Sequence, residues 1–193
     1  MKCLIIVAHP DDETIWMGGT ILKHKDWDWT ILSLCRKDDQ DRMPKFMKVC
    51  ESYEAKGIIS DLDDIELKPL PIDHVAEKII SNLTETKYDY IYTHGDNGEY
   101  GHIRHKEVHK AVKELISSEI LQCKKLLSFS YTLQSENQEQ PKIPVPNKEA
   151  DQYLHLEEDN YNNKVMIVKD IYGFGGNSFE VLSCNKAEAF NIH

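Results

Sequence analysis

Two short clusters of ionisable side chains could carry chemistry in this chain of 193 residues. The first is His9, Pro10, Asp11, Asp12 and Glu13. An imidazole and several carboxylates within one turn offer the nitrogen and oxygen donors that zinc takes. Adjacent aspartates on a turning backbone project in different directions, so one can bind metal while its neighbour faces the open coordination position. A plainer role fits the same residues: aspartates that cap a helix and compensate its dipole, with His9 a loop residue. The second cluster runs from His94 to His105 (HGDNGEYGHIRH). His102 and His105 are three apart at a helix start and share one face of its first turn, and His109 could extend that face. An isolated pair of this kind also reads as a solvated helix face. The run HKEVH from His105 is not a zinc-protease helix, because its glutamate falls two places after the first histidine instead of one. Taken together, two histidines and an aspartate fill three positions of a tetrahedral zinc and leave one for water, which is a catalytic and not a structural arrangement.

The elements that must position these clusters follow from the apolar pattern. Residues 3–8 form a continuous apolar run with no alternation, as a strand buried on both faces does. A helix follows and ends near His24 and Lys25. Residues 29–35 read as a second buried strand. Residues 44–56 read as a helix with Phe46, Val49, Cys50 and Tyr53 on one face and Gly57 as its stop. Residues 65–70 read as a short strand, 73–84 as a helix, 88–93 as a strand, 102–118 as a helix and 126–132 as a strand. Alternation at this spacing implies βαβ units and a doubly wound, mostly parallel sheet with helices on both faces. Ligands bind beyond the carboxyl ends of such strands, and both clusters directly follow predicted strands. Residues 134–151 contain three prolines and few bulky apolar residues, which marks an ordered loop or flap within a single domain spanning residues 1–193. Residues 152–156 and 164–168 read as short strands, and the glycine-rich 172–177 as a turn with no phosphate-cradling fingerprint.

Ala8, His9, Pro10, Asp11, Asp12 and Glu13 reproduce the AHPDDE signature of the LmbE-like (PIG-L) deacetylases. Tyr100, Gly101, His102, Ile103, Arg104 and His105 resemble that family's second motif, YGHxDH. Residues 36–42 with Pro44 and Lys45 are similar to its TRGExGTRG loop. The resemblance spans roughly residues 2–116 and implies a Rossmann-like fold and a zinc-dependent enzyme that hydrolyses the N-acetyl amide of an N-acetylglucosamine conjugate. Carried over by position, it makes His9, Asp12 and His105 the ligands of one zinc per chain. Asp11 becomes the general base toward the attacking water. His102 becomes a protonated imidazole beside the developing oxyanion or the leaving amine. Tyr100 becomes a group that polarises the carbonyl, and Arg42 one that holds sugar hydroxyls or is simply a solvated arginine. Glu13 is expected to hydrogen-bond locally at the helix start. Arg104 departs from the motif, whose aspartate would orient a neighbouring histidine. Directed at the site, Arg104 would lower the pKa of His102 and weaken it as an acid; directed at solvent, it would change nothing.

Composition narrows the alternatives. Hydrophobic residues are 40% and charged residues 29% of the chain, as in ordinary globular domains. A net charge of -10 with no basic stripe argues against nucleic acid as partner. The ligand sets of zinc deaminases and the GxGxxG of nicotinamide-binding sheets are both missing. Five scattered cysteines, never spaced CxxC, point to reduced thiols, with Cys3 and Cys35 as core residues. No apolar run reaches the ~20 residues of a membrane span, and the first run is too short for a secretory segment. The expectation is a cytoplasmic enzyme whose partner is a small-molecule or glycoconjugate substrate, with oligomeric state open, a homo-oligomer included. Two other readings stand beside it: a zinc amidohydrolase for a different N-acyl group, and a non-catalytic sugar-binding relative.

Overall fold

A computed structural model of the chain describes residues 1–133 and 143–193. At its centre β1 (Lys2–Val7) lies between β2 (Asp28–Ser33) and β4 (Lys87–Thr93), parallel to both. With β3 (Lys56–Ile59), β5 (Gln122–Phe129), β8 (Gln152–His155) and β9 (Ala187–Ile192) it forms a seven-stranded sheet of order β3-β2-β1-β4-β5-β9-β8. Pairing is parallel from β3 to β5 and antiparallel at β9 and β8.

The unalternating apolar run of β1 has a direct cause. Cys3, Ile5 and Val7 face one core, where α1 (Asp12–Lys23) and α2 (Arg42–Ser52) contribute Ile15, Trp16, Phe46 and Val49. Leu4, Ile6 and Ala8 face the other, with Val75 and Ile79 of α3 (Ile72–Asn82) and Val108 and Val112 of α5 (Ile103–Ser117). Helices therefore cover both faces, as the expected doubly wound sheet requires. From β1 the chain winds outward through β2 to β3, then crosses back to β4 on β1's other side. That reversal opens a crevice beyond the carboxyl ends of β1 and β4, where ligands bind in sheets of this type.

Four local expectations are corrected. The second helix spans Arg42–Ser52 and ends before a positive φ at Glu54, and Gly57 is inside β3 instead of stopping the helix. A Cβ on Gly57 would meet the Cys50 Sγ at 2.8 Å, so the glycine admits close packing of α2 on β3. Residues 65–70 form no strand: Ile65 is exposed, and Leu67 has a positive φ. Residues 164–168 are helical, in α6 (Glu158–Met166) and the π-helical turn Ile167–Ile171 that follows. Of the expected 134–151 loop, residues 134–142 lie outside the described residues, but Pro144–Pro146 is β7, paired antiparallel with β6 (Tyr131–Leu133). Two prolines remain compatible with pairing there because β7 is an edge strand.

β9, which no sequence pattern announced, locks α1. That helix is interrupted at Met17, whose φ of -147° is not helical. The amides of Gly19 and Thr20 restart it, each donating to the Glu188 carboxylate of β9 at 2.8 Å. Thr20 Oγ1 donates to the same group at 2.6 Å and Lys164 Nζ at 2.7 Å, all within a fully buried cluster. A carboxylate at a helix start is favoured by the unsatisfied N–H groups and the dipole. None of the five cysteines is in a disulfide, and Cys3 and Cys35 are core residues as expected. Among the described residues, no helix is long and apolar enough to cross a membrane.

Candidate active site

The loop leaving β1 turns sharply into α1. Asp11 adopts a φ of 119°, in the left-handed region that costs a non-glycine residue of order 1–3 kcal/mol and that collects at functional sites. The turn sends the two neighbouring carboxylates to different partners. Asp11 Oδ2 accepts from Arg42 Nη1 at 3.2 Å, while Asp12 turns inward and is buried. Asp12 Oδ1 accepts from Trp16 Nε1 at 2.9 Å, and its Oδ2 accepts from the His9 amide at 2.8 Å. Glu13 is also buried. It bonds locally to Thr14 and the Asp11 amide, as expected, but reaches further to Tyr172 Oη at 2.7 Å, tying the helix start to the C-terminal part of the chain.

The second cluster arrives from β4, which runs parallel beside β1 with Ile6 opposite Thr93. A short turn of helix, α4 (Gly98–Gly101), precedes α5, and His102 occupies the cap between them. His102 and His105 project together, with ring centroids 4.7 Å apart. His109 does not join them; its Nδ1 donates to the His94 carbonyl at 2.8 Å and stays behind the site.

Three donor atoms converge. His9 Nδ1 is 3.2 Å from Asp12 Oδ2 and 3.2 Å from His105 Nε2, and the latter two are 3.4 Å apart. Ligands at the ~2.0–2.1 Å bond lengths of tetrahedral zinc lie about 3.3–3.4 Å from one another, so this triangle already has the edge a bound ion needs. The ring orientations agree. His9 Nε2 is bonded to Asp64 Oδ1 at 3.1 Å, so Nδ1 is the nitrogen that faces the triangle. His105 Nδ1 donates to Glu99 Oε2 at 2.5 Å, leaving Nε2 to face it likewise. A carboxylate behind a metal-ligating histidine is the usual orienting device. His94 Nε2 is also near, 3.4 Å from Asp12 Oδ2. Its lone pair, however, accepts the Ala8 amide at 2.9 Å, and its Nδ1 donates to Glu99 at 2.9 Å. Although Asp12, His94 and His105 also lie close enough together to hold a metal, both ring nitrogens of His94 are already engaged in hydrogen bonds.

The field of the cluster favours a cation. Burial opposes charge on His9, yet Asp12 and Asp64 outweigh it and raise the imidazole to about 9. Burial likewise works against the Asp12 carboxylate, but His105 and His94 hold it well below the usual range. Burial, with Asp12 adjacent, raises Asp11 well above that range. His102 departs from the expected protonated imidazole: burial, then His105 and His9, push it down to about 3, so it is neutral, and its buried Nδ1 has no hydrogen-bond partner among the described residues. Burial and the nearby Asp12 and Asp11 raise the Tyr100 phenol, which keeps its proton and can donate it in a hydrogen bond.

These groups open onto a cavity of about 250 Å³, lined among others by Asp11, Tyr100, His102, Arg36 and Phe179. Phe179, at the start of the short helix α7 (Phe179–Leu182), packs edge-on against Tyr100 at 4.8 Å. Arg42 lines the cavity too, but its guanidinium is paired with Asp11 and lies 4.2 Å over the Phe174 ring. Arg104 points neither at the site nor at solvent; it is buried in contact with the loop before α3. Of the residues expected at the site, His9, Asp11, Asp12, Arg42, Tyr100 and His102 line the cavity, and His105 lies buried behind it against His9 and Asp12. Sequence reading missed Glu99, Asp64, Trp16 and Phe179. Glu99 sits inside the second cluster, where a buried acid between two histidines was the available signal; the others gave none.

A crevice at the switch point of a doubly wound sheet is where a ligand binds, and here it adjoins histidine and aspartate side chains close enough to hold a metal ion. Residues 4–116 match the family described as PIG-L, GlcNAc-PI de-N-acetylase, and the chain belongs to that family of deacetylases. Over 127 residues it is 23% identical to the uncharacterized protein L374 of Acanthamoeba polyphaga mimivirus, covering 58% of this chain and 56% of that one, so it spans little more than half of this relative. Among solved structures, the conserved protein TT1542 of Thermus thermophilus superposes with a TM-score of 0.71 at 12% identity, covering 99% of this chain and 94% of the other. The N,N'-diacetylchitobiose deacetylase of Pyrococcus horikoshii superposes with a TM-score of 0.70 at 15% identity, covering 100% and 83%. At such identities these two establish the shared fold.

Proposed function

We propose that this protein is a zinc-dependent deacetylase that hydrolyses the N-acetyl amide of an N-acetylglucosamine-type conjugate. The observation that carries the reading is the triangle of His9 Nδ1, Asp12 Oδ2 and His105 Nε2, with separations of 3.2–3.4 Å, in a chain of a deacetylase family. A zinc ion held there would lower the pKa of a water toward neutrality and polarise the acetyl carbonyl. Asp11, beside the ligands and facing the cavity, takes the proton of the attacking water. Arg42 favours its ionised form against the pull of burial and Asp12. Tyr100 donates its phenolic hydrogen toward the carbonyl oxygen as negative charge develops there. His102, held neutral by its surroundings, offers an imidazole to the oxyanion or to the departing amine, and the proton gathered by Asp11 completes that amine. Pockets for drug-sized ligands hold ~300–1,000 Å³. At about 250 Å³ the cavity suits one sugar ring with its acetyl group, the rest of the conjugate projecting past Arg36 and Phe179. Unpaired cysteines suit the reducing cytoplasm as the place of reaction.

The test is a panel of N-acyl amines given to zinc-loaded protein, scored by free amine and acetate released. N-acetylglucosamine conjugates are expected to be deacetylated, and Asp11→Ala to lose about 10²–10⁴-fold in kcat with zinc content unchanged. Turnover only of acyl amines that carry no sugar would overturn the substrate class. Full activity of Asp11→Ala would overturn the base.

A further inference from the structure

The segment between β3 and α3, residues 60–71, has almost no regular structure and one well-buried apolar anchor, Leu62. What fixes it is polar and comes from α5. The Arg104 side chain is fully buried. Its Nε donates to the Asp63 carbonyl at 2.6 Å and its Nη1 to the Lys68 carbonyl at 2.8 Å. Nη1 also meets Glu107 Oε2 at 2.7 Å, and Nη2 meets Asp63 Oδ2 at 3.3 Å. Glu107 uses its other oxygen to accept the Leu70 amide at 2.7 Å. One arginine and one glutamate, a helical turn apart, thus stitch both ends of the loop to α5.

The next residue along that loop is Asp64. Its Oδ1 meets His9 Nε2 at 3.1 Å, and its Oδ2 accepts from Arg36 Nη2 at 2.9 Å. Asp64 has no helix or strand to hold it, yet it fixes the tautomer and ring plane of His9, the histidine that joins the triangle from the β1 side. Position 104 is where the second motif departs from YGHxDH. An arginine there cannot orient a histidine directly. It can do so at one remove, by fixing the backbone on which a carboxylate is mounted.

We propose that Arg104 is a positioning residue for the metal centre: by clamping residues 63–68 to α5 it sets the Asp64 carboxylate on His9 Nε2. The proposal rests on the zinc-site reading above. Loss of such an outer partner lowers metal affinity ~10–100-fold in metalloenzymes. Two residues acting through one contact give non-additive effects.

The test measures zinc affinity by competition with a chromophoric chelator, and the absorption spectrum of the cobalt-substituted protein, for the wild type, Arg104→Met, Asp64→Asn and the double variant. Each single variant is expected to bind zinc ~10–100-fold more weakly and to alter the cobalt spectrum. The double variant is expected to be no weaker than the weaker single one. Arg104→Lys, which keeps the charge and a donor toward the Asp63 carbonyl, is expected to fall between wild type and Arg104→Met. It reads the same coupling if the methionine variant does not fold. Wild-type affinity in the arginine variants overturns the clamp, as does an equal loss on changing Arg104 with and without Asp64. A wild-type chain that holds no zinc overturns the metal-site reading itself, and the clamp with it.

Discussion

Replacing Glu99 by glutamine separates an organised metal site from a fortuitous cluster of histidines. The Glu99 carboxylate is buried and accepts three N–H groups: His105 Nδ1 at 2.5 Å, His94 Nδ1 at 2.9 Å and the Gly95 amide at 2.7 Å. Glutamine keeps the volume but has one accepting oxygen and an NH2 group in place of the other. Whichever way it turns, an N–H faces an N–H, at the Gly95 amide or at the two imidazoles. Hydrogen bonds to charged groups contribute about 1.5–3 kcal/mol each. The cheaper orientation keeps the oxygen on the two imidazoles and sets the NH2 against the Gly95 amide, so the metal-free protein should lose roughly 1.5–3 kcal/mol for that one misplaced bond. At ~2–4 °C per kcal/mol for a chain of this size, Tm should fall by about 3–12 °C. His105 Nδ1 would then face a neutral amide oxygen in place of the carboxylate that orients its ring, and zinc affinity should fall ~10–100-fold. Differential scanning calorimetry of the metal-free protein and chelator competition at fixed pH measure the two effects separately. A variant with wild-type Tm that binds zinc within a factor of two of wild type would refute the reasoning, because the Glu99 carboxylate would then not orient His105.

Other consequences follow from single contacts. Tyr100→Phe keeps the packing on Phe179 but removes the phenolic donor; kcat should fall by ~10²-fold with KM little changed, as steady-state kinetics on an N-acetylglucosamine conjugate can show. Lys164→Met strands the buried Glu188 carboxylate, which still keeps the Gly19 and Thr20 donors. Stability should fall by about 3 kcal/mol, at the low end for a broken buried pair, read by urea denaturation without loss of bound zinc. Stripping the metal with a chelator should abolish turnover. Restoring zinc to 100 times its Kd should stabilise the fold by about 2.7 kcal/mol, seen as a Tm rise of roughly 5–10 °C.

Much of this molecule was legible before its structure, because its central features are local. The run of residues 3–8 announces a strand buried on both faces, and the helices of the two cores explain why it does not alternate. Both clusters follow strands, and parallel pairing of β1 with β4 brings them together. What could not be read depends on contacts distant in sequence. Gly57 resembles a helix stop, yet its smallness serves the approach of Cys50. Residues 164–168 carry the apolar content of a strand, but Lys164 must reach Glu188 on β9, which a helix allows. Asp64 lies 55 residues from the histidine it holds, in a segment with no periodicity at all. Arg104 looked like a lost motif residue pointing inward or outward. Its partners, the carbonyls of Asp63 and Lys68, belong to a backbone whose path no side-chain pattern describes.

The most direct test of the account is anomalous diffraction at the zinc edge from crystals of protein loaded with one equivalent of the ion. The account predicts a single peak per chain, about 2.0–2.2 Å from His9 Nδ1, Asp12 Oδ2 and His105 Nε2, with Asp11 outside bonding range. A peak coordinated by other residues, or none at the triangle in fully loaded crystals, would contradict it.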